Sequence, residues 1–330
     1  MIITSHAYAR AGIIGNPSDG YFGKTIACIV KNFSADITLY ESPDLQIELH
    51  SRDHSVFKSM KDLVSDVQFS GYYGGIRLIK AAIKRFYDYT RENGITLPDR
   101  NFTIRYDSTI PLRVGLAGSS GIVTATMRAL MRFYEVEIPV VQQPSLVLSV
   151  ETEELGITAG LQDRVAQVYE GVVYMDFNRE YMEEHGYGMY EQLDANCIQD
   201  FFIAYQEELS EGTEVFHNNI RERWQRGDQD VRAAMRTFSE LTEAFRVALM
   251  DGDRKTMARL MNKNFDTRAG IYHVSSRNWQ LINTARNLRA PAKFCGSGGA
   301  VIGMYTNQAH LDQLKEAYRG IGANVIVPEI

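Results

Sequence analysis

The chain has 330 residues, of which 45% are hydrophobic and 23% charged, with a formal net charge of −6. That length favours two domains over one, and the acid excess leaves no electrostatic footprint for nucleic acid or an anionic membrane. No apolar run reaches the roughly 18–20 residues that span a bilayer.

The first ten residues, Met1 to Arg10, lack the charged-then-apolar layout of a secretory leader and read as a strand. Cys28, Cys197 and Cys295 are too few and too scattered for a disulfide framework, so a reduced, cytoplasmic setting is expected. From Arg10 to Lys24 the chain carries glycines at 12, 15, 20 and 23 and a proline at 17, which reads as strand, turn, strand. Arg10, Asp19 and Lys24 are placed where they can converge on a ligand, although the stretch is also a good hairpin turn. Two alternating segments, 37–40 and 45–49, flank Ser42-Pro43-Asp44 and predict a second hairpin. His50 and His54 follow, but without the glutamate of a zinc-protease helix they read as a solvated loop.

Residues 72–93 predict the strongest helix of the first half, with Ile76, Ile79, Ile83, Phe86 and Thr90 on one face and Asn93-Gly94 as its stop. The alternating segment 102–107 predicts a half-buried strand, and Val123, Met127, Leu130, Met131 and Tyr134 form the apolar stripe of a helix over 121–134. Between them lies a glycine- and serine-rich turn, residues 111–121. Free N–H groups and the positive end of the helix dipole make such a junction an anion site. It is not a Walker loop, because Ile122 stands where the lysine would follow the last glycine. It lacks the Rossmann G-x-G-x-x-G, and it is one residue short of a hydrolase nucleophile elbow. From this loop alone, an ordinary strand–helix turn stays open.

A helix is expected from Pro144 to Glu154, ending in the acidic cluster Glu151, Glu153 and Glu154. A polar, glycine-containing approach then leads to Asp163, and 171–177 reads as a buried strand. The acidic, tyrosine-rich region 178–196 holds the expected boundary, which divides the chain into 1–190 and 191–330. The second part predicts a strand over 197–205, three helical segments, a glycine turn within 292–303 running into a strand, a helix at 308–319 and a last strand at 324–328. Val231, Met235, Phe238, Leu241, Phe245 and Leu249 form one apolar stripe, while Arg221, Arg223 and Arg226 read as a solvated helix face.

Three glycine-marked loops in order, with an acidic approach to an aspartate, resemble the GHMP kinase superfamily. The stretch Arg10 to Asp19 looks like its first motif, Pro111 to Ser120 its second and Lys293 to Ala300 its third. Further wording, at 71–75, 159–167 and 264–268, is similar to that of plant-type glucuronokinases. The resemblance implies an α+β, two-domain fold, with an N-terminal domain like ribosomal protein S5 domain 2 and a ferredoxin-like C-terminal domain. It implies ATP- and Mg²⁺-dependent phosphorylation of the anomeric hydroxyl of D-glucuronate. Another sugar such as a heptose, galactose or galacturonate, or a non-catalytic sugar sensor, is the alternative. The implied partners are ATP and a sugar or uronic acid, with no nucleic acid or membrane.

Site roles follow from the same resemblance. Pro111, Gly115, Leu116, Ala117, Gly118, Ser119, Ser120 and Gly121 would hold the nucleotide phosphates. Magnesium would take Ser120, with Ser119 as the alternative, and Glu151, with Glu153 and Glu154 as rivals. Asp163 would accept or orient the acceptor hydroxyl, and Arg10 would stabilise charge beside it. Asp19 and Asn16 would contact the sugar, as would Gly296, Ser297 and Gly298. Arg164 and Arg268 are the candidates for a uronate carboxylate, and Tyr72 and Tyr73 for stacking on adenine.

Overall fold

The computed structural model describes residues 1–48, 74–207 and 213–330. His50, His54, Tyr72, Tyr73 and most of the 71–75 glycine stretch lie outside the described residues.

The first part is built on a long hairpin, β1 (Ile2–Ile14) and β2 (Lys24–Ser42), joined through a 3-10 turn at Ser18–Tyr21. β3 is Gln46–Ile47 and β4 is Asn101–Ser108, while β5 is Val172–Asp176 and β6 is Met189–Leu193. Among the described residues these six strands form one sheet in the order β3-β4-β2-β5-β6, with β1 on β2. β3 runs parallel to β4, so the expected hairpin of 37–40 with 45–49 does not form. The edge of β2 that β3 would need is already taken by β4.

Helices α1 (Gly75–Glu92) and α2 (Gly118–Tyr134) cover this sheet. Leu78, Ile79, Ala82 and Phe86 of α1 are buried, and Gly94 leaves the helix with a positive φ. Each of the buried Leu, Ile and Phe side chains stabilises the fold by roughly 1.5–3 kcal/mol. α3 (Gln143–Ser149) passes into a π-helical turn at Val150–Glu154, and α4 (Gln162–Tyr169) and α5 (Arg179–His185) follow. Because β6 hydrogen-bonds to β5 from Met189 to Leu193, a division at 190/191 falls inside a strand of the first sheet.

The second part begins at β7 (Phe201–Tyr205). Four helices follow among the described residues, not three: α6 (Thr213–Arg226), α7 (Gln229–Met250), α8 (Arg254–Ala269) and α9 (Ser276–Asn287). The α7 stripe from Val231 to Leu249 is buried as its spacing predicts. β8 (Ala292–Phe294), β9 (Ala300–Met304), α10 (Gln308–Arg319) and β10 (Asn324–Ile326) complete the fold. The antiparallel order β10-β7-β9-β8 gives a ferredoxin-like layout, with helices between its first two and last two strands. Among the described residues no helix is long and apolar enough to cross a membrane.

Candidate active site

β1 has one edge on β2 and spends the other on loops from both parts of the molecule. The Arg10 N–H donates to Leu116 O (3.1 Å) and the Gly12 N–H to Cys295 O (2.8 Å). The Gly15 N–H donates to Asn264 Oδ1 (2.7 Å). Two alternate N–H groups of β1 and that of Gly15 just after it therefore gather the 111–121 loop, the 294–299 loop and α8 at one place.

The two glycine loops touch backbone to backbone. A Cβ on Gly296 would stand 2.3 Å from Gly115 O, and one on Gly115 would stand 2.9 Å from Gly298 O. The first loop alternates residues of positive φ at Arg113, Gly115 and Ala117. That alternation turns successive N–H groups towards one concavity, as in anion-binding nests. For Ala117 the left-handed conformation costs roughly 1–2 kcal/mol, and it leads directly into the first turn of α2, whose N–H groups lack helical partners. Pro111 and Leu116 are buried supports of this loop.

Arg10 stands at the centre. Its Nη1 donates to Cys295 O (2.7 Å) and Gly115 O (3.2 Å), and its Nη2 lies 2.5 Å from Asp163 Oδ1. Arg10 is only 4% exposed, whereas the Asp163 side chain, in the first turn of α4, is 22% exposed and open to a ligand. Asp163 Oδ2 lies 3.6 Å from Arg164 Nη1. Arg164 in turn donates to Gly160 O (2.9 Å) and pairs with a buried Glu151 carboxylate oxygen. The other Glu151 oxygen accepts a hydrogen bond from Ser119 Oγ at 2.9 Å.

The structure thus pairs Glu151 with Ser119, not with Ser120. Ser120 is fully buried and donates back to Ala117 O (3.2 Å), as a helix-start serine does when it faces the core. Glu153 and Glu154 are turned towards Arg85 and Lys84 on α1. Glu151 lies in the π-turn and is buried there with Val150.

Arg164 and Arg268 both direct their guanidinium groups to the protein. Arg268, 4% exposed, donates to Gly296 O (2.7 Å) and Ser297 O (3.0 Å), with its plane near the rings of Tyr272 and Phe294. Asn16 is likewise a buried brace, donating to Phe294 O (3.4 Å) and accepting from Asn264 Nδ2 (3.3 Å) at its own carbonyl. Lys293 is enclosed, with Nζ donating to Gly12 O (2.6 Å) and Phe294 O (2.7 Å), and burial holds its amine well below the ordinary lysine range. Gly298, at φ 146°, packs on Asn278, whose Oδ1 accepts from the Gly299 N–H (2.9 Å). Lys293, Asn264 and Gln162 are supports for which residue type alone gives little signal.

Asp19 sits across from Asp163 on the 3-10 turn, where its Oδ2 accepts from the Gln162 N–H (3.3 Å). Gly160 gives it room, since a Cβ there would lie 2.1 Å from Oδ2. Burial, and then repulsion from Asp163, push the Asp19 carboxyl from 3.8 up to about 6. The folded protein therefore holds this proton more tightly than the unfolded chain, and wild-type stability falls as pH rises through that interval. Asp19→Asn lacks this slope. Its gain in melting temperature over wild type should open between about pH 4 and about pH 6 and stay level above, by scanning calorimetry. A constant offset across the range would remove the raised carboxyl as the cause.

An anion cradle at a helix start, facing an ion-paired carboxylate, is the arrangement of a small-molecule kinase, and the chain belongs to the GHMP kinase family. The family model "GHMP kinases N terminal domain" matches residues 77–171 and "GHMP kinases C terminal" matches 243–324. The chain is 43% identical over 308 residues to "Probable glucuronokinase 2" of Arabidopsis thaliana, covering 91% of this chain and 84% of that protein. To "Glucuronokinase 1" of the same plant it is 42% identical over 306 residues, with the same coverage. Among solved structures, Lactococcus lactis galactokinase complexed with galactose superposes with a TM-score of 0.78 at 17% identity, covering 100% of this chain and 93% of that one.

Proposed function

We propose that this protein is an ATP-dependent sugar kinase that phosphorylates the anomeric hydroxyl of D-glucuronate, giving the 1-phosphate and ADP. The observation that carries the reaction is the 2.5 Å pair of Arg10 with Asp163 at the meeting point of both glycine loops. The two Arabidopsis relatives support the acceptor.

Phosphoryl transfer needs positioning and charge neutralisation more than covalent help. The 111–121 loop and the α2 start hold the triphosphate through backbone N–H groups. Asp163 accepts a hydrogen bond from the acceptor hydroxyl and takes its proton as that oxygen bonds to the γ-phosphorus, while the bond to the ADP oxygen breaks. Arg10 lies beside the transferring group and offsets its growing charge. Asp19 holds neighbouring sugar hydroxyls. Arg164 keeps Asp163 and Glu151 in fixed relation, and Arg268 fixes the carbonyls of Gly296 and Ser297.

The residues present fit a magnesium ion. Among the described residues no group of three or more His, Cys, Asp or Glu forms a protein-only cage. A nucleotide-bound Mg²⁺ needs only one or two protein oxygens. Ser119 Oγ and a Glu151 oxygen, hydrogen-bonded at 2.9 Å, bring together a hydroxyl and a carboxylate, the hard oxygen donors that such an ion takes. They are the residues that would hold the ion, which when bound neutralises phosphate charge.

The deciding experiment is ADP release with Mg-ATP across a panel of glucuronate, galacturonate, galactose, glucose and a heptose. Glucuronate should give the highest kcat/KM. A neutral hexose or heptose that reacts far better would replace this acceptor, and sugar binding without turnover of any panel member would replace the kinase by a sensor.

A further inference from the structure

A uronate acceptor brings a carboxylate into the site, and the arginines expected to receive it are engaged elsewhere: Arg164 with Glu151, and Arg268 with Gly296 O and Ser297 O. Two lysines near the cleft are similarly occupied. Lys24 pairs with Asp176 (3.0 Å) and Glu243 (2.5 Å), and Lys293 is closed in by carbonyls.

The turn that carries Asp19 ends at Tyr21, whose ring meets Trp224 of α6 edge-on, with centroids 5.4 Å apart. Arg221 lies three residues before Trp224 on the same helix, hence on the same face one turn earlier. Its two basic neighbours are neutralised: Arg223 pairs with Asp228 and Asp230, and Arg226 with Asp228. Arg221 is exposed, and among the described residues it has no carboxylate partner. Its charge acts on the Tyr21 phenol, which also feels Asp19 and Tyr272, while Tyr272 in turn feels Arg268 and Asp19. One wall thus runs from Asp163 through Asp19 and the two tyrosines to a guanidinium that has no carboxylate partner among the described residues.

We infer that Arg221 is the residue that selects the acceptor by its carboxylate, through a charge-assisted contact at the end of the site opposite Asp163. This rests on the glucuronate reading above. A pyranuronic acid carries its anomeric hydroxyl and its carboxylate on the two carbons that flank the ring oxygen, and we set the hydroxyl at Asp163 and the carboxylate towards Arg221. Tyr21 and Tyr272 supply the aromatic floor between them.

The test is the ratio of kcat/KM for glucuronate to that for glucuronamide, its neutral amide, with saturating Mg-ATP and the full chain. Glucuronamide is measured as an acceptor, or as a competitive inhibitor where its turnover is slow. In Arg221→Met the ratio should fall about 10- to 100-fold, mainly through KM for glucuronate, the size of one charged hydrogen bond. Arg221→Lys should recover part of the ratio, because it keeps the charge and loses the fork. An unchanged ratio in Arg221→Met, or a loss that falls equally on both sugars, overturns the inference. If wild type turns over glucuronate and only the ratio fails to move, the function reading stands and this one falls. If wild type prefers neutral sugars, both fall together.

Discussion

Replacing Asp163 by Asn is expected to lower kcat by about a thousandfold, within the range that general-base and hydroxyl-orienting groups supply. The amide keeps the shape and one acceptor oxygen towards Arg10, so the loops that Arg10 ties together should stay in place. Nucleotide affinity, read by equilibrium titration, should therefore change by no more than about threefold. The substitution has a second signature. Asp163 is one of the groups that push the Asp19 carboxyl up, so a neutral residue there should bring the Asp19 midpoint down from about 6. Turnover within tenfold of wild type would remove Asp163 from the chemistry, whatever happens to Asp19.

Arg10→Met should damage both stability and rate. The guanidinium is buried and shared between Asp163, Gly115 O and Cys295 O, so its loss takes a partner from all three at once, leaving Asp163 with Arg164 at 3.6 Å and Cys295 O with the Gly12 N–H. Removing one partner of a buried pair costs about 3–5 kcal/mol, which for a chain of this size lowers the melting temperature by roughly 4–7 °C. Where the variant is still folded, single-turnover rates should be down by about a thousandfold, from lost charge stabilisation and a displaced loop together. Arg10→Lys separates the two effects. A lysine keeps one charge near Asp163 but cannot fork to carbonyls on two loops, so it should regain part of the stability and little of the rate. Equal recovery of both would mean that charge alone, and not the span of the fork, matters at this position.

Much of this was legible from residue type. Glycines at 115 and 296 mark close backbone approach, and Arg10 is a charged residue inside an otherwise apolar strand, so it stands out. The strands and helix stripes of the second half were readable because they are short, apolar and regular, while their ferredoxin-like arrangement followed from the family resemblance. What the sequence hid has physical causes. Ser119 and Ser120 are adjacent, and which one faces Glu151 depends on where the helix begins after the left-handed Ala117. Arg164 and Arg268 are as suited to bracing backbone carbonyls as to gripping a substrate, and only the fold shows which they do. Arg221 looked like its neighbours Arg223 and Arg226, and differs from them only in lacking an aspartate in reach among the described residues. The parallel pairing of β3 with β4 is a choice among available strand edges, which local alternation cannot express.

The partners of Arg10 lie 105 and 285 residues along the chain. Bringing such distant segments together is slow and entropically costly, and it is rewarded only when all are present. A growing chain therefore carries its arginine, then its phosphate loop, then its aspartate as inert pieces until Cys295 arrives to be bound. Activity in this protein should appear in one step late in synthesis and folding, with no fragment that hydrolyses nucleotide on its own.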